Sequence, residues 1–483
     1  MNNIKYILLS IMMIAVTSCG NDWLNLEPST SVVSETSIKQ LSDIEYTLNG
    51  IYSTMQSAYT YSGRLIYYGD VTGDDMQAVS STKRTGSYYL FKYSKDDAPS
   101  THWSYLYSII SNCNVILQNV DKMEITTSQT ASRDDLKGQA LALRGLALFD
   151  LTRIFGYPYK KDNGASLGVP IITELLEVTA KPGRNTVAEC YTQVISDLSA
   201  ACNLLSGSFN RGKINKWAAM TLLSRVYLYK GDDAKALSAA EEAITGAEAA
   251  KYKLWTNAEY PTAWATDPTS ASGEVLFRIV NLTTDSPGNE SMGYLSSYSG
   301  YSDLCITSSF YALLNEDPDD VRLKLLSFNG KKYAYVYKYQ PQSGETIKDA
   351  DIPLIRLSET YLNAAEAAVK TGDNNKAAKY LDAIVKRANP ANTVVGKTVT
   401  LDRVMTERRK EFVDEGHRMF DALRDGGQCH RYDVANSNIS STKHLSGTYP
   451  NDYDWTYFKV VLPIPKAEMD ANQTLQNQQN PGY

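Results

Sequence analysis

The sequence predicts an all-α protein in which tetratricopeptide-like helix pairs form a scaffold interrupted by long, loop-rich excursions. Three observations predict it. Apolar residues recur at helical spacing in several long segments. A helix–turn–helix with the same turn, Gly-Asp-x-x-Lys-Ala, occurs twice, at Gly231–Ala236 and Gly372–Ala377. Between the two copies, residues 250–356 form a stretch of about a hundred residues that reads as loops.

The elements follow in order. Lys5, the apolar run Ile7–Val16 and Val16-Thr17-Ser18-Cys19 have the build of a lipoprotein signal peptide spanning residues 1–18. The apolar run is about ten residues, short of the ~20 that span a bilayer. Cys19 would become the acylated N-terminus, so the mature chain is expected to be exported and held to the membrane by lipid. A tether leads into Trp23–Pro28, read as extended. Leu41, Ile44, Leu48 and Ile51 predict a helix over 41–55. Residues 60–102 are polar and read as loops. Helices are predicted over 103–120 and over 136–155, the latter with Ala140, Leu143, Ala147 and Leu151 on one face, and a further one over 187–205 with no clear partner.

The two helix pairs span Trp217–Ala247 and Leu357–Ala388. In each, glycine suits the left-handed position that ends one helix, and aspartate can cap the next. Alanines at the expected crossings let backbones approach. A unit of about 34 residues with these features is of tetratricopeptide type, but the copies start 140 residues apart, Trp217 against Leu357, and are not tandem.

Composition narrows function. A net charge of −6 lacks the basic footprint of a nucleic-acid binder. With 43% hydrophobic and 21% charged residues the chain is not disordered. The mature chain exceeds the usual single core, and a division into 19–250 and 251–483 is expected. Cys113, Cys190, Cys202, Cys305 and Cys429 match neither a disulfide framework nor a zinc site and read as small apolar residues. His417, Cys429, His430 and His444 lack metal-ligand spacing, and Asp70, Asp74 and Asp75 lack that of a known calcium loop. No phosphate loop or nucleophile elbow occurs. The expectation is a protein that is not an enzyme and has no metal or cofactor.

The C-terminal half carries more specific motifs. Glu407–Asp421, which reads ERRKEFVDEGHRMFD, resembles the signature segment of the SusD/RagB family. The ending Leu462-Pro463-Ile464-Pro465, with Glu468, Asn472 and Gln479–Tyr483, is similar to that family's terminus. So are Asp22–Pro28, Gly168-Val169-Pro170, Glu274–Phe277 and Ile352–Glu359 leading to Ala365–Ala367. The resemblance implies a SusD-like fold and a non-catalytic, surface-facing outer-membrane lipoprotein. It implies capture of an oligosaccharide or polysaccharide and delivery to a SusC-like TonB-dependent transporter. The alternatives are a peptide-binding, RagB-like import lipoprotein and a tetratricopeptide-type interaction scaffold.

Within 407–421, carboxylates and basic residues alternate at i,i+3 and i,i+4 spacings, which predicts ion pairs along one helix. Asp317–Arg322 reads as a loop-fixing carboxylate–arginine pairing. Ligand contact is expected from aromatic rings with nearby polar groups. Of the 34 tyrosines, nine fall in 59–107 and eight in 294–339, half of the total in about a fifth of the chain. The resemblance places the ligand site in loops of these two regions. The candidates are Arg84, Tyr88 and Tyr89 in the first window, Tyr294, Tyr298 and Tyr301 in the second, and Trp264. Tyr333, Tyr335, Tyr337 and Tyr339 alternate at strand period and are expected to pack as one face, while Trp103 is expected in the core.

Overall fold

The computed structural model describes residues 38–265, 270–330, 332–435, 439 and 443–483. The signal segment, Cys19 and Trp23–Pro28 lie outside the described residues. Long helices build the scaffold: α1 (Leu41–Gln56), α2 (Ser100–Asn119), α3 (Thr130–Phe155), α4 (Val187–Leu204), α5 (Lys216–Lys230), α6 (Asp233–Ala249), α7 (Leu357–Lys370), α8 (Asn374–Ala388) and α9 (Leu401–Phe412). None of the described helices is long and apolar enough to cross a membrane.

From α2 to α6 each helix packs on the next. The partner of α4 is α3, fixed by Arg144, whose Nε and one terminal nitrogen reach Asp197 at 2.8 and 2.7 Å. The single apolar face predicted for α3 understates its burial. Leu141, Leu146 and Leu148 are also buried, because α3 lies between α2 and α4 and touches α1.

The separated helix pairs are neighbours in space. Helix α6 packs on α7. Arg225 of α5 pairs with Glu359 of α7 at 2.5 and 2.7 Å, and Thr221 meets Thr360 at 2.7 Å. Glu241 of α6 accepts from Tyr380 of α8 at 2.8 Å. The repeat is therefore continuous in three dimensions, and residues 250–356 leave it and return. Gly231 and Gly372 end α5 and the turn after α7 with φ of +87° and +82°. The capping prediction holds at one turn. Asp373 accepts the Lys376 backbone N–H at 3.0 Å, whereas Asp232 instead pairs with the Lys235 ammonium at 2.8 Å.

Short antiparallel strand pairs decorate the scaffold: β1 (Met76–Ala78), β2 (Val275–Ile279), β3 (Leu304–Ile306), β4 (Leu326–Asn329), β5 (Tyr333–Val336), β6 (Ile352–Arg356), β7 (Cys429–His430) and β8 (Asp452–Tyr453). They pair as β1–β3, β2–β6, β4–β5 and β7–β8. The stretch 60–102, expected as loops, contains β1 and the helices Arg64–Val71 and Gly86–Tyr89. Of the four alternating tyrosines only Tyr333 and Tyr335 lie in a strand, which ends at Val336; Tyr335 and Tyr339 are buried, and Tyr333 and Tyr337 half-buried.

The basic–acidic segment is structural, but its pairs run mostly between elements rather than along one helix. Only Arg403–Glu407 is an i,i+4 pair within α9, at 2.7 Å. Glu411 meets Arg356 of β6 at 2.9 Å and Arg387 of α8 at 2.6 Å. Arg409 pairs with Asp75, and Arg418 with Asp74, both at 2.5 Å. Arg408 and Arg424 both meet Asp421, at 3.0 Å each. The Asp320–Arg322 pairing forms as expected, at 2.6 Å. The partners of Glu411, Arg409 and Arg418 come from distant parts of the chain, so helical spacing could not name them.

Candidate ligand-binding surface

The strand pair β1–β3 brings the two tyrosine-rich windows together. Asp303, just before β3, is fully buried and draws in the segment after β1. Its carboxylate meets Lys83 at 3.2 Å and Arg84 at 3.1 Å, and its carbonyl accepts the Thr85 hydroxyl at 2.8 Å. Arg84 is thereby aimed across the junction. Its guanidinium lies 4.2 Å from the centre of the Tyr301 ring and its Nε reaches Glu290 at 3.2 Å.

Tyr301 and Tyr294 meet edge to face, with centroids 4.9 Å apart, and the Asn289 amide donates to the Tyr301 hydroxyl at 3.2 Å. The Tyr294 ring also has the Lys348 ammonium 5.2 Å away. Tyr298 is 52% exposed, with its ring 6.2 Å from Tyr335. Glu290 extends the row, reaching Arg64 at 3.8 Å. Arg64 sits 4.3 Å over the ring of exposed Tyr59, which packs on Tyr105 at 5.6 Å. The result is a ledge of aromatic rings interleaved with hydrogen-bonding side chains. Rings offer flat apolar faces, and the groups between them offer donors and acceptors. That pairing suits a ligand that is apolar on one face and rich in hydroxyls at its edge.

Arg84, Tyr294 and Tyr301 thus come together, and Tyr298 lies on the turn that joins the two tyrosines. Three other candidates do not join them. Tyr88 is buried at the end of a helical turn rather than in an open loop, and its hydroxyl lies 3.2 Å from His102 Nε2. Burial pushes the Tyr88 phenol up and the His102 imidazole down to about 3, so both are neutral at pH 7. Tyr89 is also buried, bonded to His444 and covered by the Arg431 guanidinium at 4.0 Å. Trp264 packs in an aromatic cluster, with Trp255 at 5.0 Å and Tyr260 at 5.6 Å. All three were chosen for aromatic character in polar sequence, a signal that does not separate a core ring from a surface ring.

Tyr59, Arg64, Asn289 and Glu290 belong to the ledge and were not singled out from sequence. No local pattern marks them, because they lie some 230 residues apart and meet only in the fold. Trp103 is buried, packed edge to face on Phe155 and tilted against Tyr107. Asp74 and Asp75 are engaged by Arg418 and Arg409 and are not free to bind a cation.

Comparison with known proteins identifies the family and the fold. Residues 22–228 match the SusD-like family described as starch-binding and associating with the outer membrane, and residues 326–483 match the SusD family. A candidate sugar-binding protein of known structure from Bacteroides vulgatus is 68% identical. It covers 93% of this chain and 100% of its own, with a TM-score of 0.91. The chain belongs to the SusD/RagB family. A SusD superfamily protein, also from Bacteroides vulgatus, is 35% identical, with a TM-score of 0.85 over 92% of this chain and 100% of its own. A laminarin-binding SusD-like protein shares the fold at 23% identity, with a TM-score of 0.69 over 92% of this chain and 100% of its own. The all-α, tetratricopeptide-like architecture is thus the SusD fold, with short strand pairs set into its excursions.

Proposed function

We propose that this SusD-family protein captures an oligosaccharide on the tyrosine ledge and passes it, uncleaved, to a SusC-like TonB-dependent transporter. In this reading Cys19 carries the lipid that holds it on the outer face of the outer membrane. The observation that carries the proposal is the Arg84–Tyr301–Tyr294 group, with the exposed Tyr298 ring on the turn between its two tyrosines. Rings available to solvent, with polar groups fixed around them by a buried carboxylate, are what sugar stacking requires. The family description as starch-binding and the laminarin-binding relative support a glycan over a peptide. Handing the ligand on favours modest affinity, about −4 to −8 kcal/mol, which is millimolar to micromolar.

Titration calorimetry with a panel of oligosaccharides tests the reading, on the wild type and on Tyr298→Ala/Tyr301→Ala. The double variant is expected to lose affinity by roughly tenfold or more. Binding to peptides and to no saccharide overturns the reading, as does release of reducing ends by the purified protein.

A further inference from the structure

A second hollow, of about 490 Å³, opens where β7–β8 meets the segment 443–451. Its volume falls within the range of about 300–1,000 Å³ usual for small-molecule sites, and none of the ledge residues lines it. The rim carries a pair of rings: His430 and Tyr432 lie 4.7 Å apart at an interplanar angle of 31°, and Tyr432 is 46% exposed. His444 forms a wall. It lies parallel to Tyr89, bonded to that hydroxyl through Nδ1, while its Nε2 is buried without a hydrogen-bond partner.

The support beneath is rigid. Arg431 is buried and donates to the carbonyls of Gly73, Tyr89 and Val71 at 3.0, 2.6 and 3.0 Å. It packs over Tyr89 and Tyr449 at 4.0 and 4.8 Å. This guanidinium is turned inward and spent on carbonyls, so it offers no hydrogen-bond donor to the hollow. Asp433 accepts the His444 backbone N–H at 3.0 Å, and Asp452 contacts His430. The described lining therefore presents two carboxylates, two imidazoles and an open tyrosine ring, with no outward-facing arginine or lysine. Carboxylates that face a ligand accept hydroxyl protons and repel anions.

We infer that this hollow is a second saccharide site, for a neutral sugar of about two or three units, with Tyr432 as its stacking platform. The inference rests on the glycan reading above and adds a site to it. Calorimetry on the full chain with maltotriose, laminaritriose, cellotriose and trigalacturonate tests it.

The Tyr298→Ala variant is expected to keep residual binding to one of the neutral trisaccharides. Adding Tyr432→Ala weakens that residual binding roughly tenfold, and adding Ser446→Trp, at an exposed position, blocks the hollow and abolishes it. Trigalacturonate is not bound at this site. Loss of all binding on Tyr298→Ala alone overturns the second site and leaves the ledge intact. Residual binding that neither added substitution touches, or that prefers trigalacturonate, also overturns it. A wild type that binds none of the sugars overturns both readings.

Discussion

Replacing Arg356 by methionine removes the centre of the largest buried ionic cluster described above. Arg356 is 1% exposed. Its Nε and one terminal nitrogen hold Glu415 at 2.8 and 2.7 Å, and the other terminal nitrogen holds Glu411 at 2.9 Å and contacts Glu274. Some cations remain after the substitution. Arg387 keeps Glu411 at 2.6 Å and Glu274 at 3.2 Å, and Lys338 keeps Glu415 at 2.6 Å. Three buried carboxylates are then left with too few partners. Removing one member of a buried ion group costs about 3–5 kcal/mol. With an unfolding entropy of about 2.1 cal/mol/K per residue, a chain of this length loses about 1 °C per kcal/mol. The expected drop in Tm is therefore about 3–5 °C at pH 7.

The pH dependence has a definite sign. Burial alone would raise the Glu411 carboxyl, but Arg387 and Arg356 outweigh it and hold it well below its usual range. A depressed carboxyl stabilises the fold above its unfolded pKa, and the contribution is lost as pH falls through the folded value. Without Arg356 the carboxyls take up protons at higher pH, so the variant's deficit shrinks as pH falls from 7 to 5. Differential scanning fluorimetry at several pH values reads this directly. A Tm within 1 °C of wild type at pH 7, or a deficit that grows on acidification, refutes the reasoning.

Other outcomes follow from the same structure. Asp414 and Asp70 are both fully buried, and burial raises both carboxyls, reinforced at Asp70 by the Asp414 charge and opposed but not overcome at Asp414 by Lys338; an acid raised in the fold loses stability as pH climbs above its unfolded value. Asp414→Asn, at a left-handed φ of +67° that asparagine tolerates, should raise Tm by about 1–2 °C at pH 8 and by nothing near pH 4, as thermal melts would show. A Cβ at Gly69 would stand 2.2 Å from the Gly416 carbonyl oxygen, so Gly69→Ala should cost about 1–3 kcal/mol in urea unfolding. Tyr88→Phe and Trp264→Phe should leave saccharide affinity within twofold while lowering Tm, since both rings lie in the core; a selective loss of affinity would return them to the ligand surface.

Several features were legible in the sequence because they are local. The apolar periodicity of α1, α2 and α4, and the glycines that end the two helix pairs, depend on neighbours within a few residues. The family resemblance was readable for the same reason, through contiguous strings such as Glu407–Asp421. The division between core and surface aromatic rings was not local. Tyr88 and Tyr298 both sit in polar, glycine- and serine-containing sequence, yet one is covered by Tyr67, Tyr68 and His102 and the other is open to solvent. Which ring becomes ligand surface depends on what packs against it from far along the chain. The tertiary structure also decided that the separated repeats stack as one scaffold and that the acidic and basic residues of α9 pair mostly across elements. Helical spacing fixes which side chains share a face, but burial and ion pairing are set by the facing element, and that element is chosen only when the whole chain folds.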